Sequence, residues 1–291
     1  MATDAHGATV AAGDAGIAAI VVSHESAATI DDCLARLRAC AGVVEIRVVD
    51  NGSRDATVSI VQRHALADPR LRFVAEPANP GFSVACNRGA AESRAPWLAF
   101  VNPDCLLEPD ALAALRGHAV ALAATGAEPV IGADLVDEDG LRDAAARRRD
   151  PDFVAMLASP AARELGVPVD EAAPLQQVDA ISGALVLMPR ALFVRIGGFD
   201  EKYRLHAEDL DLCRRARAAG ARVAVANDVR VVHLRGVSSR ARPLFVAWHK
   251  HRGLWRYFRR FDGHRHGPVA HAAVLAAVAA HLLVDAIRAL R

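Results

Sequence analysis

Apolar and polar stretches alternate in a regular order over the first part of the chain. Ile17 to Val22 is an unbroken apolar run, as expected of a strand buried on both faces, and it ends in the polar Ser23-His24-Glu25-Ser26. Ile30, Cys33, Leu34, Leu37 and Cys40 then recur at helical spacing, so a helix follows the loop. The unit is repeated by a strand over Val44 to Val49, the polar Asp50-Asn51-Gly52-Ser53-Arg54-Asp55, and a helix through about Ala67. A third strand, Leu71 to Ala75, leads through a loop to a helix around Val84 to Ser93. A fourth, Trp97 to Val101, stops before Pro103, which cannot donate to a sheet ladder. Such units in series predict an α/β domain with a parallel sheet and right-handed crossovers. Each polar cluster then falls at the carboxyl edge of the sheet, where open α/β sheets bind ligands.

The pattern changes beyond a helix from about Asp110 to Ala123. Val130 to Val136, Asp139-Gly140 and the residues from Leu141 onward read as a hairpin with a tight turn. Asp150 to Pro174 contains prolines and no sustained period, which predicts an irregular segment. Val178 to Met188 reads as one apolar strand, and Ala191 to Ile196 as a short helix closed by Gly197-Gly198. Glu208 to Ala219 reads as a helix with acids in its first turn, arginines in its later turns and Gly220 just beyond. Strands near Val223 to Ala226 and Val229 to Val232 complete the domain.

Composition adds three points. An apolar fraction of 53% over 291 residues suffices for one large domain, or a domain with an appendage. Lys and Arg number 35 against 34 Asp and Glu, so the overall balance makes no case for nucleic acid as a partner. The cysteines Cys33, Cys40, Cys86, Cys105 and Cys213 have no C-x-x-C spacing, which fits reduced thiols in a cytosolic protein. Met1 to Gly16 is Ala/Gly-rich and carries acids where a secretory signal would carry bases, so it is expected to be a disordered lead-in. The expected plan is a lead-in over 1–16, an α/β domain over 17–240 with halves 17–104 and 105–240, and a tail over 241–291.

The tail has its own character. Between Arg235 and His266 the only acid is Asp262, against Arg235, Arg240, Arg242, Lys250, Arg252, Arg256, Arg259, Arg260 and Arg265. Phe245, Trp248, Leu254, Trp255, Tyr257, Phe258 and Phe261 are interleaved with these bases, the composition of a helix at an anionic membrane surface. Plain packing of an amphipathic helix on the domain would use the same residues. Pro268 to Ile287 is apolar but contains His271, His281 and Asp285, which are costly at a bilayer centre and favour lying on a membrane over spanning it.

Several polar clusters carry possible chemistry. Asn102-Pro103-Asp104 puts a carboxylate beside an amide at a strand end, a pair that can hold a hard cation such as Mg2+, or that simply turns the chain and caps a helix. Asp50-Asn51-Gly52-Ser53 can receive a nucleotide base or cap the next helix. In the stretch from Glu76 to Gly89, Gly81 would allow close backbone approach, with Asn79, Asn87 and Arg88 adding polar contacts. Glu208, Asp209 and Asp211 exceed what capping requires, so one of them is a candidate general base. His233, followed by Gly236 and Ser238-Ser239, would be a further metal ligand if its strand edge lies near Asp104.

Taken in order, Val48-Val49-Asp50-Asn51-Gly52-Ser53, Asn79-Pro80-Gly81-Phe82, Val101-Asn102-Pro103-Asp104, Ser182-Gly183-Ala184, Ile196-Gly197-Gly198-Phe199-Asp200-Glu201, Glu208-Asp209-Leu210-Asp211-Leu212-Cys213 and His233 resemble family 2 glycosyltransferases. Within that family the match is to the bacterial rhamnosyltransferase-like branch, and it runs from about Ile17 to Ser239. The resemblance implies a GT-A fold: an α/β domain with a mostly parallel sheet flanked by helices, here with a C-terminal amphipathic helical appendage. It implies Mg2+ or Mn2+ and a sugar nucleotide donor, dTDP-L-rhamnose first, with a UDP-linked hexose or galactofuranose as the alternative. The acceptor would be a glycan or a polyprenyl-diphosphate-linked sugar at the cytoplasmic face of the membrane. It implies that Ser23, Glu25, Asp50 and Asn51 hold base and ribose, and that Asn79, Gly81 and Asn87 lie along the nucleotide and diphosphate. Asn102 stands where many members have the first aspartate of the D-x-D motif. Asp104 matches its last position and would hold the metal with His233. Asp209 occupies the place of the catalytic base, with Glu208 and Gly183 near the acceptor. A nucleotide-binding or scaffold protein without turnover is the alternative from another class, and the acids Asp104, Glu208 and Asp209 argue against it.

Overall fold

In the computed structural model residues 16–234 and 242–289 are described; the expected lead-in before Gly16, and Gly236, Ser238 and Ser239, lie outside the described residues. The chain opens as β1 (Ile17–Ser23), α1 (Ile30–Ala39), β2 (Val43–Asp50), α2 (Thr57–Ala67), β3 (Leu71–Ala75), α3 (Phe82–Ala91) and β4 (Trp97–Val101). Every residue of β1 is buried, which is why its sequence shows no polar alternation. β2 and β4 flank β1 in parallel, and β3 extends the sheet in parallel beyond β2. In that register Ser23 lies opposite Asp50, so the polar ends of the first two strands meet at one edge.

The second half continues with β5 (Cys105–Leu106), α4 (Ala111–Ala123), β6 (Pro129–Val136), β7 (Arg147–Arg148), α5 (Phe153–Ala158), β8 (Leu175–Gln177), β9 (Ala180–Ile181), β10 (Leu185–Pro189), α6 (Arg190–Arg195), α7 (Glu208–Ala218), β11 (Arg222–His233), α8 (Pro243–Phe261) and α9 (Pro268–Ala289). These strands complete a 9-stranded mixed sheet in the order β3-β2-β1-β4-β10-β6-β11-β5, with β8 also on β11. β10 runs antiparallel to β4, so its first residue, Leu185, faces Val101, the last residue of β4. β11 runs parallel to β6 and pairs antiparallel with β5, with His233 opposite Cys105. These two pairings bring the β4 end, the β10 start and the β11 end to one place.

Three expectations are corrected. The apolar run from Val178 to Met188 is not one strand: it breaks at Ser182-Gly183-Ala184, and β9 pairs with β7 while β10 enters the main sheet. Burial on all sides made the run read as continuous. The hairpin after Val136 turns as expected, with Gly140 N–H donating to Asp137 O at 3.0 Å, but its return arm makes a single bridge, Val136 to Arg142, and no ladder. The chain is drawn inward instead by Arg147, whose Nη1 donates to the buried Asp134 at 2.8 Å. The two strands expected around Asn227 are one, β11, with a register shift between Ala226 and Arg230. Asn227 at the shift accepts from Arg147 Nε at 2.9 Å and donates to the carbonyls of Asp170 and Ala173 at 3.0 and 2.8 Å. The segment after Asp150 is also more regular than expected: α5 is capped by Asp152, which accepts from Ala155 N–H at 2.9 Å.

The core has two layers. One face of the sheet packs against α1, α2 and α4 through Ile30, Leu34, Leu37, Val61, Leu112 and Leu115. The other packs against α3, α6, α7 and α8 through Ala85, Leu192, Phe193, Leu210 and Leu212, around Phe100 and Phe199 with ring centroids 5.0 Å apart. Tyr257 and Phe258 of α8 are fully buried in this layer, so the first helix of the tail is part of the domain. Burying two such aromatics contributes about 2–3 kcal/mol each before entropy is counted. α9 is different: Val274 is its one buried residue among those described, while Val269, Leu283, Val284 and Ile287 are exposed.

The Asp134–Arg147 pair is the test of the fold's polar interior. Asp134 also accepts from Arg142 Nε at 3.1 Å and is fully buried. Asp134→Ala leaves Arg147 as an unpaired buried charge, and unfolding in guanidinium should show a loss of about 3–5 kcal/mol, much of it recovered in the Asp134→Ala, Arg147→Met double variant.

Candidate active site

The carboxyl edge of the sheet opens into a cavity of about 310 Å³. Ser23, His24, Asn51, Asn79 and Gly81 line one side of it, and Asn102, Asp104 and His233 line its floor. Asp50 does not reach this space. Its Oδ1 accepts from Ser23 Oγ at 2.9 Å and Ser53 Oγ at 2.5 Å, and its Oδ2 accepts from Ser53 N–H at 2.9 Å. The carboxylate thereby ties the β1 and β2 loops together and acts on the cavity through Ser23 and Asn51. Asn51 Oδ1 is buried without a hydrogen-bond partner, an acceptor aimed at the cavity side. Glu25 lies outside the lining, with φ 51° and its Oε1 accepting from Arg54 N–H at 2.8 Å.

Gly81 has φ +112°, and a Cβ there would lie 2.8 Å from Arg204 Cγ and 2.9 Å from Arg204 O. The close approach that this glycine permits is therefore to the Arg204 backbone, whose carbonyl accepts from Phe82 N–H at 3.0 Å. Asn79 lines the cavity, and its carbonyl accepts from Arg204 Nη2 at 2.7 Å. Asn87 is turned elsewhere. Its side chain bonds both backbone groups of Phe199 at 2.9 and 2.8 Å and faces a separate polar cleft with Asp200, Arg256 and Arg260.

At the floor, Asp104 Oδ1 lies 3.3 Å from His233 Nε2, and His233 Nδ1 lies 3.7 Å from Asp143 Oδ2. Burial alone would lower the imidazole pKa, but the two carboxylates outweigh it and push it up to about 9. Asp104 Oδ1 and His233 Nδ1 are buried and make no well-formed hydrogen bond. Asp104 and His233 Nε2 fit a hard divalent cation, which would take the place of the Nε2 proton, while Asp143 lies on the Nδ1 side of the ring and orients it. Cys105 Sγ is also within 4.8 Å of these ligand atoms, but burial raises its pKa far above the usual thiol value and its thiol donates to Ala184 O. It is a core thiol, not part of the donor set. Asp143 was invisible in the sequence because it stands in the arm expected to complete a hairpin.

The N-terminus of α7 carries two acids in opposite states. Burial raises the pKa of Asp209, but the Arg148 charge and hydrogen bond and the N–H groups of Gly183 and Leu210 outweigh it, so the carboxyl is held below the usual range. Asp209 Oδ2 accepts from Arg148 Nη2 at 2.6 Å and from Gly183 N–H at 3.0 Å. Burial, helped by the neighbouring Asp209, pushes Glu208 up to about 8, and its Oε2 has no hydrogen-bond partner. At neutral pH Asp209 is ionised and Glu208 protonated, the separation that acid–base sites use. Asp209 does not line the cavity, but Gly183-Ala184 joins it to the floor, since Ala184 O accepts from Asn102 N–H at 2.8 Å. His206 and Ala207, which lead into α7, hold φ of 65° and 66°, left-handed conformations that cost about 1–3 kcal/mol each and concentrate at functional sites. Arg148 was missed because Arg147-Arg148-Arg149 reads as a solvated charge run.

The remaining wall is made by Arg204, Leu205, His206, Arg242, Phe245 and Val246. Phe245 and Arg242 were expected to belong to a tail that either lies on a membrane or packs on the domain, and α8 begins at the cavity.

The family model for glycosyl transferase family 2 matches residues 18–149. N-acetylglucosaminyl-diphospho-decaprenol L-rhamnosyltransferase of Mycobacterium tuberculosis (strain ATCC 25618 / H37Rv) is 29% identical over 249 residues, covering 73% of this chain and 77% of the relative. The mannosyltransferase PcManGT from Pyrobaculum calidifontis, in complex with GDP-Man and Mn2+, is similar in structure with a TM-score of 0.58 at 22% identity, over 94% of this chain and 80% of its own. GalNAc-T7 with UDP, GalNAc and Mn2+ gives a TM-score of 0.60 at 17% identity, over 75% of this chain and 43% of its own. These structural likenesses establish the GT-A fold.

Because Glu208 has a folded pKa above its ordinary value of 4.5, its contribution to stability is fully present below that value and is lost as pH rises through about 8. Glu208→Gln keeps the neutral form at every pH. Thermal unfolding at pH 5 and pH 8.5 should show the variant close to the parent at the lower pH and more stable than it at the higher.

Proposed function

We propose, for a chain that carries a glycosyl transferase family 2 domain in a GT-A fold, an inverting transfer of L-rhamnose from dTDP-L-rhamnose to a sugar on a polyprenyl diphosphate. The observation that carries this reading is the Asp209 carboxylate, clamped by Arg148 and Gly183 and joined through Ala184 to the floor that holds Asp104 and His233. The sugar and the lipid-linked acceptor are supported by the mycobacterial relative's name.

The chemistry follows from the protonation states. An acceptor hydroxyl attacks the anomeric carbon from the face opposite the nucleoside diphosphate. The new C–O bond forms as the bond to the diphosphate oxygen breaks, so configuration inverts, and the hydroxyl proton passes to Asp209. Glu208 is protonated at neutral pH and cannot take that proton; Asp209 can. Arg148 and the Gly183 N–H fix one carboxylate oxygen and thereby orient the other lone pairs. Asp104 and His233 would hold Mg2+ or Mn2+, which would supply positive charge against the departing diphosphate, and Asp143 on the far side of the imidazole would orient His233. Ser23, Asn51 and Asn79 supply the polar wall for the nucleotide. Contact with an anionic membrane surface is supported by the apolar exposed face of α9 and the exposed Arg252, Arg259 and Arg265.

Asp209→Asn should lower transfer by about 10²–10⁴-fold in a radiolabelled-donor assay, while dTDP binding measured by calorimetry stays intact; chelation with EDTA should stop the parent enzyme, and added Mn2+ should restore it. Full activity of Asp209→Asn would remove that residue from its role.

Arg148 acts on the base, so its loss should show in the pH profile. Arg148 holds the Asp209 pKa down, and Arg148→Met lets it rise. The acidic limb of kcat/KM should therefore move to higher pH, and a uniform drop at every pH with no displacement would leave Arg148 a structural role only.

A further inference from the structure

The cavity wall formed by Arg204, Leu205, Arg242, Phe245 and Val246 lies beyond residue 149, where the family 2 match ends, and among these residues Arg204 meets the nucleotide side, at Asn79 and Gly81. Arg204 is a fixed cation. Its Nη2 donates to Asn79 O at 2.7 Å, its guanidinium lies 5.5 Å from the Phe245 ring centroid, and its Nε is buried without a hydrogen-bond partner. Arg242, immediately before α8, faces the same space. Among the described lining residues Asp104 is the only acid, so the wall is electropositive and apolar at once.

That pairing selects a ligand. A nucleotide donor places a polar ribose on one side of its diphosphate and a sugar ring on the other, so neither neighbour is a continuous hydrocarbon chain. A polyprenyl diphosphate places hydrocarbon directly beside two phosphates, which a planar guanidinium recognises with paired hydrogen bonds. We propose that this wall is the subsite for the diphosphate and first isoprene units of the lipid-linked acceptor, with Arg204 and Arg242 on the phosphates and Phe245 and Val246 on the hydrocarbon. The inference rests on the acceptor reading given above.

The apolar surface continues outward from this point. Leu244 and Trp248 flank Phe245 on α8 and are 45% and 56% exposed. α8 and α9 lie antiparallel, with Lys250 3.3 Å from Asp285 and Gly263 close to His271, so the C-terminal half of α9 runs beside the start of α8. There Leu283, Val284 and Ile287 are exposed. A hydrocarbon chain leaving the cavity past Phe245 thus meets apolar surface before it meets water, and a membrane lying on that surface would receive it.

The test uses the full chain with farnesyl diphosphate as the acceptor probe and dTDP as the donor probe, each titrated by calorimetry in the presence of Mn2+. Farnesyl diphosphate is expected to bind the dTDP-saturated protein at least about tenfold more tightly than inorganic pyrophosphate or farnesol does. Arg242→Glu and Phe245→Ala, both on the accessible side of the wall, should each weaken farnesyl diphosphate by about tenfold or more and leave the dTDP affinity within about twofold. Retained farnesyl diphosphate affinity in both variants, or an equal loss of dTDP affinity, would overturn the assignment, the second outcome giving the wall to the donor. The two levels of the reading fail separately. Farnesyl diphosphate binding that depends on Arg242 in a protein where Asp209→Asn is fully active keeps the subsite and removes the base; the converse removes the subsite and keeps the base.

Discussion

The backbone around Asn102-Pro103-Asp104 is held from two sides, and the rest of the site depends on that clamp. On one side Asn102 N–H donates to Ala184 O at 2.8 Å; on the other Leu234 N–H donates to Asp104 O at 3.0 Å. The first bond comes from a strand that enters antiparallel beside β4, the second from β11 pairing with the two-residue β5. Parallel strands alone would have delivered only the ends of β1, β2 and β4 to this edge. The antiparallel insertion adds Gly183, and through it Asp209. Residues separated by more than a hundred positions thus share one floor because two short ladders end there.

Charge is then distributed so that like groups are driven apart. Glu208 is buried and Asp209 is partly buried beside it, so both cannot ionise cheaply; Arg148 decides which one does. At the floor the order is reversed. His233 lies between Asp104 and Asp143 and retains a proton that a divalent cation would replace. One acid of each set is thereby prepared before any substrate arrives, and the αL backbone at His206 and Ala207 is the strain that the arrangement tolerates. Such preparation is worth more in a water-poor cleft than on the surface, because the same charges interact more strongly there.

The first half of the fold was legible in the sequence because its periodicities are local. Each buried strand is a short apolar run, each helix has its own stripe, and loops of Ser, Asn and Asp separate them, so β1 to β4 emerge nearly residue for residue. Legibility fell where long-range polar contacts override local pattern. Nothing near Val178 to Met188 marks where the apolar run leaves one sheet for the other. The return arm after Asp139-Gly140 fails to pair because a buried arginine finds Asp134, and Asn227 breaks the β11 register to satisfy that arginine. The site divides the same way. Residues at strand ends, Ser23, Asn51, Asn102, Asp104 and His233, are found where strand ends imply them. Asp143, in irregular chain, and Arg148, in the two-residue β7, carried no signal. Asp50 and Asn87 carried a signal but are occupied by internal hydrogen bonds.

The C-terminal helices show why composition alone misleads about an amphipathic segment. A run of bases and aromatics reads as a membrane face, yet Arg256 and Arg260 of α8 meet Asp200, Arg260 also meets Asp211, and Tyr257 and Phe258 fill the core. Those cations are fixed by domain carboxylates and are not available to lipid. Among the described residues Arg252, Arg259 and Arg265 remain outward, with Arg242 at the cavity mouth and the apolar side of α9. The helix that anchors the tail to the core also starts at the cavity with Arg242 and Phe245, so displacing the tail would open the site as well as the core. Cavity and α8 are for that reason one structural unit, and whatever surface α9 rests on lies beside the mouth that Arg242 and Phe245 line.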